Sequence, residues 1–417
     1  MKHALTATAA ALILCVPAFS AGDAPDSDWN QWRGPKRDGL SPDTGLLKAW
    51  PAGGPPLAWK ATGLGSGFSS VSVHGDHIFT MGDVGENCTL LSLNKSDGKI
   101  SWSANVGKAG GTDRQRPGTR CTPATDGELV FALGQFGELV CANATTGKEV
   151  WRKNMSTDFG GKAPHWDYSE SPLLDGDLVL CTPGGSKGAV VALKKASGET
   201  VWQSSELTDA AAYASLVPVE IGGTRQYLVL TAASVAGIGA VDGKLLWRAD
   251  RAGKTAVIPT PVYKDGIVCV TSGYGVGCNA FKITAADGKF KAEEIYSHKE
   301  MINHHGGILL VGDHVYELDD KGGLKCFEFK TGKRVWDNPS VGKGSIAYAD
   351  GHLICRSERG NGTIALVEAS PEGYKETGRF DQPERSKASS WPHPVIIGGK
   401  LYIRDQDNLF CYDVKAK

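Results

Sequence analysis

LVCANATTGKEVW at residues 139–151 and VVALKKASGETVW at residues 190–202 are two copies of one pattern. Each reads as a short apolar strand, a polar turn closed by Thr-Gly or Ser-Gly, and a second strand that ends on tryptophan. The glycine supplies the positive φ that the turn needs. The β-branched residues after it suit a pleated strand. Outward from these copies the same spacing recurs as DGKISW ending at Trp102, DGKLLW at Trp247 and TGKRVW at Trp336. DGKFKA puts Ala292 where tryptophan is expected. A second landmark, a turn glycine before a short apolar strand, keeps step with the first. It stands at Gly75, Gly127, Gly176, Gly223, Gly266, Gly312, Gly351 and Gly399. Eight landmarks at this spacing, with no long apolar stripe of helical period, predict an all-β chain. The fold class is an eight-bladed β-propeller of four-stranded antiparallel blades.

The eighth unit stops short, because LFCYDV at 409–414 is followed by no terminal strand. Leu57-Ala58-Trp59-Lys60 looks like the missing piece, so an N-terminal strand is expected to complete the last blade. Such closure removes exposed edges. The expected organisation is therefore a signal peptide over 1–20, an irregular N-terminal cap over 21–56 that wraps the outside, and the propeller over 57–417. The repeated tryptophans read as packing between adjacent blades. Blade 5 lacks one, so its interface is expected to be weaker or filled differently.

Composition agrees with an ordered, turn-rich chain: 54 Gly, 20 Pro, 22% charged and 41% apolar residues in 417. The formal net charge is −1. That leaves no basic surplus for phosphate-backbone binding, and nucleic acid is not an expected partner. Lys2 and His3 precede an apolar run, Ala4 to Val16, that is too short to span a bilayer. Ala18-Phe19-Ser20 places cleavage near Ser20–Ala21. The bulky Leu14 before Cys15 argues against lipoprotein processing. No later segment reads as a transmembrane helix, so a secreted or periplasmic monomer is expected. The nine cysteines beyond Cys15 form no C-x-x-C and no adjacent pair, which argues against zinc ribbons and covalent haem. Cys141, Cys181, Cys269 and Cys355 lie in strand-like runs and read as small buried hydrophobes. Cys269 and Cys278 flank a turn and could bridge one hairpin in an oxidising compartment.

The two opening units resemble the pyrroloquinoline-quinone (PQQ) repeat, A-L-x-x-x-T-G-x-x-x-W, and the likeness runs through nearly all of the mature chain. WRGPKRDG, NHHGG and GGKLYIRDQDNLFCYDV look like a secreted branch of that family typical of planctomycete-type bacteria. The family includes quinoprotein alcohol dehydrogenases and the cofactor-free propeller subunit of the outer-membrane barrel-assembly machinery. The resemblance thus implies either PQQ with calcium or a partner-binding propeller without a cofactor. This chain has no adjacent Cys-Cys pair and no haem motif. It is well short of the dehydrogenases, and none of their calcium ligands is carried over to it.

Propellers bind ligands at the channel mouth, on the loops entering the innermost strands and those between second and third strands. The entry loops supply Arg114, Arg116 and Arg120 in blade 2, and His165, Trp166, Tyr168 and Glu170 in blade 3. They add Tyr213 in blade 4, Asn303, His304 and His305 in blade 6, and Trp391 and His393 in blade 8. The other loops supply Tyr274, Arg356, Glu358, Arg404, Asp405 and Asp407. The arginines suit a carboxylate, phosphate or sulfate. Trp166 and Trp391 suit a sugar or quinone ring, or else plug the channel. In an extended chain His304 and His305 point to opposite sides, so at most one of them is expected to face the channel. His165, Glu170, His305 and His393 are the candidate metal ligands, drawn from three blades. No G-x-S-x-G, H-E-x-x-H or P-loop is present.

Three functions follow. The first is an exported, non-enzymatic binding or assembly module of the cell envelope, with an envelope protein or glycan as partner and a funnel that holds a small ligand. The second is a PQQ-dependent oxidoreductase. The third is a polysaccharide hydrolase or lyase using the His/Glu/Arg funnel.

Overall fold

Gly147, in the last turn of blade 2, explains the repeat. Its φ of +70° lies in the left-handed region that penalises a side chain. A Cβ there would also lie 2.5 Å from the Trp102 ring. The tryptophan ending one blade therefore covers the turn of the next, and its indole N–H donates to Ala144 O at 3.1 Å. The same arrangement joins Trp59 to Gly98, Trp151 to Gly198 and Trp202 to Gly243. Glycine and tryptophan are thus two halves of one inter-blade contact.

The computed structural model describes residues 28–113 and 115–417. The signal peptide, its cleavage point and Arg114 lie outside the described residues. Among the described residues there is no helix. Seven antiparallel blades run through 72–108, 124–154, 173–203, 217–250, 262–298, 308–338 and 344–380. Blade 8 takes three strands from 395–413 and its outermost strand from Leu57–Ala61. There Trp59 stands opposite Cys411 and Lys60 opposite Phe410, so the N-terminal strand closes the ring as the sequence predicts. Apolar faces of neighbouring blades interleave: Phe131, Val140 and Cys141 of blade 2 share one cluster with Val179 and Leu193 of blade 3.

Blade 5 fills the missing tryptophan position by lengthening its outer hairpin. Gly277–Ala286 and Lys289–His298 are ten-residue strands, which carries the Asp-Gly turn away from the ring. Tyr296, not Ala292, then stands where the other blades place tryptophan. Its ring covers Gly332 of blade 6, and its hydroxyl donates to Phe329 O at 2.8 Å. Trp247, facing the lengthened hairpin, turns inward and donates to Gln226 at 2.6 Å.

The N-terminal segment departs from the expected outer cap. Leu40–Ser41 pairs in parallel with the innermost strand of blade 7, whose free edge faces the channel. Trp29 exchanges two backbone bonds of 2.9 Å with Val73 of blade 1, and Asn30 O accepts Thr125 N–H of blade 2. Arg37 donates to Ser171 O and Pro172 O at blade 3, both at 2.8 Å, and Arg33 to Ile308 O of blade 6 at 2.6 Å. Residues 28–41 therefore plug the channel, because their arginines supply donors to carbonyls that the ring leaves open inside. Only the later part lies outside, where Leu46 and Trp50 cover blades 7 and 8.

All nine described cysteines are buried and free. Cys269 pairs with Ala280 and Cys278 with Thr271, so the two thiols sit diagonally across the hairpin and do not bridge.

Candidate functional site

The entry loops converge on one face of the ring, where they enclose a cavity of about 290 Å³. Its floor is Trp32 at the tip of the plug. Trp32 donates to Thr260 Oγ1 at 3.2 Å, and its ring lies 4.6 Å from that of His393. The cavity is therefore blind, open to one face only. A broader groove over blades 1 and 2 is open, and no aromatic side chain lines it.

Trp391 anchors the wall. Its ring lies 4.4 Å from Phe68, and the guanidinium groups of Arg116 and Arg120 stand 5.6 and 5.8 Å from it. Its indole N–H donates to Glu358 at 3.0 Å. Burial works against the Glu358 carboxylate. The neighbouring His305, the Trp391 N–H and Lys343 outweigh that and hold it well below the usual carboxylate range. Burial lowers Arg120, with Asp113 opposing.

Across the cavity, His304 Nδ1 lies 2.8 Å from Lys343 Nζ and Nε2 lies 3.1 Å from Tyr274 Oη. An ammonium only donates, so Nδ1 accepts and Nε2 carries the proton toward Tyr274. Burial, then His305 and Lys343, hold His304 down to about 3, so the ring is neutral. Lys343 also pairs with Asp320 at 2.7 Å. Tyr274 has φ of +58°, a strained backbone for a tyrosine, and its N–H is held by Asp320 at 3.2 Å. His393 is likewise held down to about 3 by burial and then by Arg33, and its Nε2–H donates to His305 O at 2.9 Å.

Of the predicted residues, Arg116, Arg120, Trp166, Tyr274, His304, His305, Trp391 and His393 line the cavity. So do Tyr213 and Glu358. Both adjacent histidines do so, against the expectation of one, because 304–306 is a bend and strand alternation does not apply. Eight candidates lie elsewhere. His165 is exposed and packs edge-on against Trp166. Tyr168 is buried, with its hydroxyl on Pro183 O. Glu170 is buried against Thr182 N–H. Arg404 ties down Leu64 O and Gly65 O, and Asp407 accepts the N–H groups of Gly63 and Gly65. Asn303, Arg356 and Asp405 are also spent on internal bonds. Sequence reasoning passed over Phe68 and Lys343, although both stand just before innermost strands and obey the rule that found the others. Trp32 had no such signal.

The candidate metal ligands do not converge: His165 is outside, Glu170 is sealed in, and His393 is turned to a carbonyl. Among the described residues no three His, Cys, Asp or Glu side chains come together as a metal ion requires. Calcium seeks six or more oxygens. The lining carboxylates are Asp113 and Glu358, and both already face cations. The residues present do not fit calcium beside a quinone.

Fold and site together define a PQQ-type eight-bladed propeller with a channel closed at one end by its own N-terminal segment. The family model described as "Outer membrane protein assembly factor BamB" matches residues 89–338, and the chain belongs to that family. It is 23% identical over 367 residues to the Shewanella oneidensis protein of that description, covering 73% of this chain and 86% of the relative. The Xanthomonas campestris protein of the same description is 27% identical over 195 residues, 46% of this chain and 43% of the relative. Among solved structures, BamB from Moraxella catarrhalis superposes with a TM-score of 0.60 at 15% identity, over 84% of this chain and 95% of that one. Quinohemoprotein alcohol dehydrogenase from Comamonas testosteroni gives 0.69 at 12% identity, over 95% and 82%. At such identities the structural likeness establishes the fold alone.

Proposed function

We propose that this chain is an exported, non-enzymatic binding module of the cell envelope that holds a small ligand in its funnel and serves envelope assembly. The observation that carries the reading is the blind cavity. The ring spends its own N-terminal segment to close one mouth, and loops from all eight blades line the other. A sealed floor suits retention of a ligand better than passage through the ring. Two ionisable groups of the funnel are already engaged with neighbours, Glu358 with Trp391 and Lys343, His304 with Lys343 and Tyr274. This favours recognition over proton transfer. The relatives' description as outer membrane protein assembly factors supports an envelope role. No helix among the described residues is long and apolar enough to cross a membrane.

The test has two arms. Tagged full-length protein is crosslinked in cells and recovered from the envelope fraction, where a discrete protein partner is expected. Purified protein is then supplied with PQQ, calcium, an alcohol and an electron-acceptor dye, and no dye reduction above background is expected. Saturable quinone binding with catalytic dye reduction overturns the reading in favour of a dehydrogenase.

A further inference from the structure

We infer that the funnel takes an anionic saccharide unit: a pyranose ring carrying a carboxylate or a sulfate, with the oxyanion on Arg116 and Arg120. The inference rests on the funnel being a binding site, and it names what that site binds.

The cavity offers donors and is short of free acceptors. Among the described residues four cations line it, Arg116, Arg120, Lys343 and Arg359, against the two carboxylates Asp113 and Glu358. Arg120 makes two bonds to carbonyls, 3.4 Å to Trp166 O and 3.1 Å to Arg116 O, and stands 3.8 Å from Asp113. Arg116 reaches only Asp113, at 3.4 Å. A guanidinium carries five N–H donors in a rigid fork, so most donors of this pair lack an acceptor among the described residues.

Hydroxyls add to the surplus. Ser171 Oγ accepts Thr122 N–H at 2.9 Å and Ser215 Oγ accepts Ser171 N–H at 3.0 Å. Both side chains are buried and line the cavity, and neither donates to an oxygen or nitrogen among the described residues. Tyr274 receives the His304 Nε2–H, which leaves its own hydroxyl proton for a ligand. A buried polar pair completes the wall: His305 Nε2 and Glu358 Oε2 stand 3.6 Å apart, Lys343 Nζ lies 3.6 Å from the same oxygen, and neither His305 ring nitrogen nor that oxygen has a hydrogen-bond partner among the described residues.

Shape selects the ring. A cavity of about 290 Å³ lies at the small end of ligand sites. Trp166 and Tyr213 stand side by side, with ring centroids 6.1 Å apart, and offer an aromatic wall to the C–H face of a sugar. A ligand with many oxygen acceptors, one negative charge and one apolar ring face satisfies all of these groups together.

The experiment is calorimetric titration of the full mature protein with four probes. These are a digalacturonate, a sulfated disaccharide, neutral cellobiose and benzoate. One-site binding of an acidic disaccharide is expected, weakened by added salt, with cellobiose at least tenfold weaker. The better of the two acidic probes tells carboxylate from sulfate. Arg120→Ala and Arg116→Ala each lower affinity at least tenfold, and Arg120→Lys loses part of it. Arg116 is exposed, so its variant keeps the wild-type melting temperature even where that of Arg120→Ala shifts. Binding of cellobiose as tight as that of either acid, benzoate as tight as the acids, or acid binding unchanged in both arginine variants overturns the inference. If no acid binds while an envelope partner is still captured, the saccharide falls and the module reading stands. If acids bind and no partner is captured, the assembly reading falls instead.

Discussion

Glu170 sits sealed behind the blade 3 entry loop, with one carboxylate oxygen on Thr182 N–H and the other unpartnered. Burial pushes its carboxyl up to about 7, with Thr182 and Arg37 pulling it back. The folded value lies above the unfolded one near 4.5. As pH rises from about 4.5 to 7 the unfolded chain sheds a proton that the native state keeps. Stability from this group is therefore full below 4.5 and lost by pH 7 and above. Glu170→Gln keeps the acceptor and removes the titration. Its urea midpoint should gain on wild type by the equivalent of about 3 kcal/mol between pH 4.5 and 8. His304 and His393, both held near 3, run the other way: the stability tied to their neutral rings is present above about 6.5 and is lost as pH falls toward 3. At this scale the sequence shows which loop a residue occupies but not its depth. Arg116 and Arg120 reach the cavity from the same loop stretch, while Glu170, four residues from Trp166, turns away into the blade.

Individual strands were more legible, because each turn glycine and each tryptophan has one job. The exception teaches the rule. Counting from the Asp-Gly turn places Ala292 at the tryptophan position, but a lengthened hairpin moves the turn and leaves the packing position in place at Tyr296. Tyr296→Ala should therefore cost about 2–3 kcal/mol in a urea melt, somewhat below a fully buried aromatic. Ala292→Trp, which restores the repeat on paper, should bring no gain in the same measurement. Stabilisation by Ala292→Trp would return the inter-blade contact to that residue. The 304–306 bend carries the same lesson. Alternation is a property of strands, and no periodic signal marks where a strand has yet to begin.

Across the whole molecule, ring order, blade count and the closing strand follow from repetition, while the plug does not. Residues 28–41 carry no period, and their seat is made of carbonyls contributed by blades far apart in sequence. Arg37 is the firmest tie, fully buried and bonded to Ser171 O, Pro172 O and Gln31. Arg37→Ala strips two carbonyls of their donor and removes the charge facing Glu170. A loss of about 3–5 kcal/mol is expected by chemical denaturation, with faster hydrogen exchange confined at first to residues 28–41. Uniform exchange across the blades would instead make the plug an inseparable part of the ring.

The plug and the closing strand are neighbours in sequence, and the last of their partners, blade 7 for the plug and blade 8 for the strand, are made much later. During synthesis and export this stretch is made early, and its docking is completed late. It finds no channel until the ring exists and no partner strand until 408–413 has been made. Loss of 395–413 leaves Leu57–Ala61 without a partner strand, with raw sheet edges open to proteases. Blade 8 is therefore a joint between two distant stretches of chain, and the ring shuts only when both are in place.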